Sequence, residues 1–322
     1  MKRLRALIRF AAMAAALVAL IDTAAAEDAL KLTLGQRGNW DTAITHLGTK
    51  AGIFKKHGLE LEMIYTSGSG ETLQPVIAGS VDLGLAVGTL GAIAAYSKGA
   101  PVRIVGAQAT GAADYWYAKA SSPIKTLKDA DGRTIAFSTN GSSTHSVVLA
   151  FIKEFGLTAK PTATGNPSST LTAVMTDQVD VGWASPPFGL KEMSEGKIRL
   201  VARATDASLV RGRTVRVIVA NTQTLTQRAD AITRFMQAYR ESIDYMYGDD
   251  PQVIKDYAEF VGVPEPLARR VRDDFFPKSL VWPDEVQGLD SLMDEAVALK
   301  FISAPLGKEQ IADLIRVPAA SR

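Results

Sequence analysis

The chain has 322 residues, 47% hydrophobic and 22% charged, with 36 Lys and Arg against 34 Asp and Glu and no cysteine. Without cysteine there are no disulfides, thiolate metal sites, cysteine nucleophile or lipidated-cysteine anchor. The small basic excess sits in the first 26 residues, which hold four basic side chains and one acidic one, so it supports neither a nucleic-acid surface nor an anionic-membrane surface.

Lys2, Arg3, Arg5 and Arg9 precede the apolar run FAAMAAALVALI, and small residues at Ala24 and Ala26 follow it. This reads as a secretory signal peptide cleaved after Ala26, which marks the chain for export. The apolar run is about a dozen residues long, short of the roughly 20 that a spanning helix needs, so an uncleaved anchor is the lesser reading. The remaining chain from Glu27 has 32 basic residues (36 less 4) and 33 acidic ones (34 less 1), and is long enough for two domains with separate cores.

Residues 30–35, LKLTLG, alternate as a strand, and GNWD (38–41) follows, placing Asn39, Trp40 and Asp41 at a sheet edge with Asp41 as a helix N-cap. Residues 42–58 have helical spacing and end on a glycine, with His46 and His57 on solvated faces. A strand over 59–65 leads into TSGSGE (66–71), where glycines permit close backbone approach and Ser69 or Gly70 opens a helix. Leu73 occupies the place of the third glycine, so this is no dinucleotide fingerprint. A helix (71–79), a strand (81–87) and a helix (90–99) continue the alternation, which predicts a mostly parallel sheet with helices on both faces.

A second unit starts near RTIAFS (133–138), and here the chain repeats itself. Residues 72–91 set against 170–189 match at Thr72/Thr170, Leu73/Leu171, Val76/Val174, Val81/Val179, Asp82/Asp180, Gly84/Gly182, Ala86/Ala184 and Gly91/Gly189. Two similarly built α/β lobes follow from this, each placing a loop at the carboxyl edge of its sheet, where open α/β sheets bind ligands. Residues 110–125 and 203–221 are the two crossings, and from Gln223 onward the pattern is helical. The lobes are accordingly residues 27–115 with 215–322, and residues 116–214.

The stretch STNGSSTHSVVLAFIKEFG (138–156) combines a glycine break, a serine N-cap and an amphipathic helix. Unpaired amides at a helix start carry about half a positive charge, so hydroxyls around them form a neutral site for an anion. His145 fits capping or ligand contact equally well, and its distance from His46 and His57 leaves no metal-ligand spacing. SPIK (122–125) matches the S-x-x-K pattern of acyl-enzymes but lacks its companion motifs, so no catalytic residue is assigned.

The segments KAGIFKKHGLELEM, SGSGETLQPVIAGSVDLGLA, LKDADGRTIAFSTNGSSTHSVVLAFIKEFGL and AVMTDQVDVGWASPPF resemble the periplasmic substrate-binding proteins of ABC importers, in the nitrate, sulfonate, taurine and thiamine-precursor group. The resemblance implies a two-lobed α/β fold of the type II periplasmic binding protein class, with two crossover strands and a ligand clamped in the cleft. It also implies a monomer that needs no cofactor or metal, and a membrane permease with its ATPase as partners.

Carried onto this chain, the cleft is lined by Asn39, Trp40, Asp41, Ser67, Gly68, Ser69 and Gly70, with Gly88 and Thr89 after the VDLGLA strand. The second lobe adds Ser138, Thr139, Asn140, Ser142, Ser143, Thr144 and His145, then Ser185, Pro186 and Phe188 after VDVGWA, while Tyr115, Trp116 and Arg213 stand near the crossings. Trp40, Trp116 and Phe188 imply an organic body on the ligand, and Trp183 belongs to strand core. Asp41 departs from a purely anionic site and leaves room for an amine or ring nitrogen. A sulfonate- or taurine-like anion is the leading expectation, with a thiamine-precursor pyrimidine or an aromatic carboxylate as alternatives. The related pyrimidine synthase uses a cysteine-rich iron motif that this chain cannot form, and a sensor module would carry a second apolar span.

Overall fold

The computed structural model describes residues 28–319; the expected signal peptide and its cleavage after Ala26 lie outside them. Among the described residues ten strands are separated by helices, except where β4 leads directly to β5: β1 (Asp28–Gly35), β2 (Leu59–Thr66), β3 (Leu83–Gly88), β4 (Val102–Thr110), β5 (Tyr115–Lys119), β6 (Thr134–Phe137), β7 (Lys160–Ala163), β8 (Gly182–Ala184), β9 (Ile198–Arg203) and β10 (Thr214–Asn221).

The first sheet has the order β2-β1-β3-β10-β4. β1 runs parallel to β2 and β3, and β10 inserts antiparallel between β3 and β4, so the sheet is mixed rather than mostly parallel. Alternation decides what each strand buries. On β10, Val217 and Val219 enter one core with Val102, Ile104, Leu292 and Leu314, whereas Ile218 and Ala220 face the other core, shared with Leu32, Val105, Phe235 and Tyr239. A strand apolar on both faces is a central strand. β2, at the edge, exposes Glu60 and Glu62 instead, which blunts that edge against pairing with another chain.

The second sheet joins β8-β5-β9 to β7-β6 through a parallel bridge between Ile135 and Val181, giving β7-β6-β8-β5-β9. This is the first sheet over again, with β5 in the place of β10. Side chains repeat as well as strands. Asp82 accepts from the Lys31 amide at 2.9 Å, and Asp180 accepts from the Thr134 amide at 2.9 Å. The Thr66 and Thr72 hydroxyls lie 2.6 Å apart, as do those of Thr164 and Thr170. The repeat read from residues 72–91 and 170–189 is therefore a duplicated structural unit, in which an Asp at the turn locks the start of one strand to the next.

The chain passes between the sheets twice, through residues 111–114 and residues 204–213. The passages are short loops and 3-10 turns, and the strand character expected there belongs to β5, β9 and β10, inside the sheets. They are tied side by side: the Gly111 amide donates to the Arg213 carbonyl, the Ala204 amide to the Asp114 carbonyl, and the Thr110 and Thr214 hydroxyls meet at 2.9 Å.

The remaining helices, beginning at Thr222–Gln227 and Ala229–Met246, return to the first sheet, and the chain end pairs alongside β4 at Ile315. Helix Ala229–Met246 packs on helix Ile44–Lys50. The single helix expected over 42–58 is two pieces, Ile44–Lys50 and Ile53–Lys56, because Gly52 between them adopts φ +75°. His46 stacks on Phe260 and His57 contacts Glu241 at 2.9 Å, so both histidines are half-covered rather than solvated.

Asp180→Ala removes a carboxylate that accepts from both the Thr134 amide and its hydroxyl. We expect a loss of about 2 kcal/mol in urea unfolding.

Candidate functional site

The carboxyl ends of β1 and β2, one flank of β3 and β10, and the loop after β6 meet in one cleft. Its walls are Gly35, Gln36, Gly68, Ser69 and Ala86, with Arg216, from the first lobe, and Ser138, Ser142, Ser143 and Thr144 from the second. The cleft is nearly shut: the cavity encloses about 10 Å³, the room of one water molecule.

Glycine makes this closure possible. A Cβ on Gly88 would lie 2.1 Å from the Gly141 carbonyl oxygen, and one on Gly68 would lie 2.5 Å from Ser138 Oγ. Both backbones have ordinary dihedrals, φ −62° and 176°, so what excludes a side chain there is the opposite lobe. The Gly70 amide also donates across the cleft to Thr139 Oγ1 at 3.3 Å. Conversely, Gln36 and Ala86 hold φ +57° and +60° without being glycine, and both line the cavity. Such backbone strain tends to gather at binding sites.

The helix Ser143–Phe155 starts at the cleft. Ser142 Oγ accepts from the His145 amide at 3.2 Å and Thr144 Oγ1 accepts from the Ser138 amide at 2.9 Å, so these two hydroxyls are spent on holding the turn. No partner meets Ser138 Oγ, although it is buried. His145 stacks on Phe137, and its Nδ1 accepts from the Gly141 amide. Burial lowers its pKa, which keeps the imidazole neutral, and its ring meets Phe301 of the other lobe edge-on.

Around Arg216, which lines the cleft, lies a cluster of which sequence reading named only Asp41. Arg216, on β10, is 3% exposed and places Nε 3.4 Å from Asp41 and Nη2 3.6 Å from Asp114. Neither approach is a hydrogen bond, and Arg216 Nε and Nη2, both Asp41 oxygens and Asn39 Oδ1 have no partner at full hydrogen-bond geometry, although the Asp41 and Thr42 amides lie beside the Asp41 carboxylate. Asp114 has the Ser185 hydroxyl, its own backbone amide and the guanidinium beside it, none at full hydrogen-bond geometry. Burial raises both carboxyl pKa values above the usual range, while Arg216 pulls them back; burial likewise opposes the charge on Arg216, which the two carboxylates more than offset. Gln108 braces the cluster, donating to the Asp41 carbonyl and accepting from the Ala86 amide at 2.6 Å.

The other expected residues divide by place. Ser69 Oγ accepts from the Gly88 amide at 2.7 Å, and Thr89 Oγ1 donates to the Thr214 carbonyl, fixing the β3 end. Ser67 is half-buried with its amide on Glu71, and Asn140 is exposed. Pro186 is buried beside Ser185. Asp41 does not cap a helix, because its carboxylate is turned to Arg216.

The aromatic walls are absent from this cavity. Trp40 is fully buried, donating to Tyr247 OH at 3.0 Å and packing edge-on against Tyr257. Trp116 donates to the Ala136 carbonyl and packs edge-on against Phe151 inside the second lobe, where Trp183 is also core. Phe188 lies by Gly38 and its carbonyl accepts from Tyr115 OH. Arg213 pairs with Glu295 and lines a separate cavity with Leu149 and Leu299.

Arg216 could have been noticed as the lone charge in the apolar TVRVIVAN, and Asp114 as the acid in the first crossing. Among the described residues no helix is long and apolar enough to cross a membrane, and no group of three or more acidic or histidine side chains could hold a metal ion.

A family model described as NMT1/THI5 like matches residues 39–253, and the chain belongs to that family. A Brucella abortus protein named "Putative binding protein" is 26% identical over 260 residues, 79% of this chain and 78% of that one. Among solved structures, the alkanesulfonate-binding protein SsuA of Xanthomonas axonopodis pv. citri, bound to MOPS, superposes with a TM-score of 0.73 at 20% identity, covering 91% of this chain and all (100%) of that one. The periplasmic nitrate-binding protein NrtA of Synechocystis superposes with a TM-score of 0.69 at 13% identity, covering 89% and 86%. The fold is that of the two-lobed periplasmic binding proteins.

Because the chain has no cysteine of its own, closure can be trapped by a Gly70→Cys, Thr139→Cys pair. We expect this pair to cross-link under mild oxidant, and the cross-link to be lost when Gly88→Val is added, as read on a non-reducing gel.

Proposed function

We propose that this member of the NMT1/THI5-like family is an exported, non-enzymatic solute-binding protein that closes on a small organic anion, sulfonate- or taurine-like, and delivers it to an ABC permease and its ATPase. The signal peptide, cleaved after Ala26, sends it to the periplasm, where it works as a monomer. Its lobes are residues 27–115 with 215–322, and residues 116–214.

The observation that carries this reading is the meeting of two glycine- and hydroxyl-lined sheet edges around one buried guanidinium, with unpaired polar atoms facing inward. Buried polar groups are nearly always bonded, so unpartnered ones at a cleft are places held for a ligand. The sulfonate-binding SsuA and the nitrate-binding NrtA share this fold, which supports an oxyanion. The mechanism follows from the geometry. The paired crossings act as the hinge, since they alone join the sheets and are bonded to each other at both ends. Opening separates Gly88 from Gly141 and admits the solute; closure brings the two edges back toward each other around it. The free energy of ligand contacts shifts the balance toward the closed form.

The direct test is the thermal midpoint of the chain from Glu27 with a panel of alkanesulfonates, taurine, carboxylates and nitrate. Saturation at about a hundred times the dissociation constant stabilises by roughly 2.7 kcal/mol, a shift of several degrees. A response to no organic anion removes the proposal. Ser138→Ala separates binding from folding: its hydroxyl has no partner, so the midpoint without ligand should hold or rise. Affinity for the responding anion should fall about tenfold, measured by calorimetry.

A further inference from the structure

The ionisable groups buried around Arg216, which lines the cleft, are unequal in number. Among the described residues Arg216 is the one guanidinium lining the cavity, with the carboxyl groups of Asp41 and Asp114 beside it, and all three side chains are more than nine-tenths buried. The approaches of 3.4 and 3.6 Å exceed the roughly 2.7–2.9 Å of a charge-assisted hydrogen bond. Arg216 therefore sits between two acids without bonding fully to either. The unpaired atoms are also lopsided in kind: five are acceptor oxygens, on Asn39, Asp41 and Asp114, against two guanidinium nitrogens on Arg216. The unpaired hydroxyls beside them, on Ser138, Ser185 and Tyr239, can each donate or accept, and even with all three donating the two carboxyl groups are not supplied with a second cation. Unbonded buried charge is among the costliest arrangements in a folded chain, and it persists where something else completes it.

Resting on the reading of this cleft as a ligand site, we infer that its ligand is a zwitterion: an ammonium or similar N–H cation completes Asp41 and Asp114, while the anionic group faces Arg216 and the start of helix Ser143–Phe155. A plain anion of the same size would satisfy Arg216 and the helix start but leave two carboxylates unbonded and repelling it. Asp41 and Asp114 thus act as selectors, through the penalty they place on ligands that lack the cation.

Matched pairs test this on the unaltered protein: calorimetric titration of the chain from Glu27 with taurine against 1-propanesulfonate, 3-aminopropanoate against butanoate, and 4-aminobutanoate against pentanoate. We expect the ammonium-bearing member of at least one pair to bind at least about 100-fold tighter, since a site built to bond an N–H group rejects the analogue without it. Asp114→Asn should narrow that gap to less than about tenfold while the anion-only member binds as well or better. Equal or tighter binding of the ammonium-free members overturns the inference and leaves the organic-anion reading standing. An unchanged gap in a folded Asp114→Asn protein removes Asp114 as a selector. If neither member of any pair binds, both readings fall together.

Discussion

One guanidinium ties together the three segments on which the cleft depends. Arg216 lies on β10, the strand that brings the chain back from the second sheet; Asp114 ends the first passage, and Asp41 lies in the loop after β1. The three carry opposed charge in a place with almost no solvent. Fixing them there sets the positions of both passages and of the loop after β1 at once. The attraction is strong at low dielectric but incomplete in geometry, so the cluster is held by surrounding backbone as much as by its own pairing. Gln108, bonded to both the Asp41 carbonyl and the Ala86 amide, belongs to that support.

Around this point the molecule is built twice. The same strand order, the same Asp at the turn and the same threonine pair recur, and in each sheet one strand runs antiparallel within the set. Duplication alone yields two sheet edges, not a clamp. The clamp comes from short paired passages that set those edges face to face, and from backbone bare enough at Gly68, Gly88 and Gly141 for the edges to touch. Hydroxyls suit such a surface, because they hold the helix start in shape and still leave atoms for a guest.

Much of the fold could be read from the residues in order. Leu30, Leu32 and Leu34 announce a strand by alternation; the VD-x-G recurrence at Asp82 and Asp180 announces the duplication; Ser142, at the start of an amphipathic stretch, announces the helix that borders the cleft. The lining of the cleft was legible where chemistry is local, as in the small residues at Gly68, Ser69, Ser138 and Ser143. It was misread where chemistry depends on what lies far along the chain. A tryptophan in a loop is equally suited to a ligand or to a core, and Trp40 went to the core because Tyr247 and Tyr257 arrive from helices more than 200 residues away. Arg213 and Arg216 are three residues apart on the approach to one strand, and local sequence gave no reason to prefer either. Arg213 meets Glu295 beside a separate cavity, while Arg216 faces two acids.

The sequence by itself thus determined the alternation of elements, the duplicated lobe, the turn chemistry of the helix starts and the absence of thiol chemistry. All of these depend on side-chain type and spacing over a few residues. Tertiary structure alone decided the insertion of β10 beside β3, the touching of Gly88 and Gly141, and the gathering of Asp41, Asp114 and Arg216. These are contacts between segments that the chain separates by tens to hundreds of residues. Charge acquires its meaning there: an arginine is a surface residue or the centre of a site according to which carboxylates the fold carries to it.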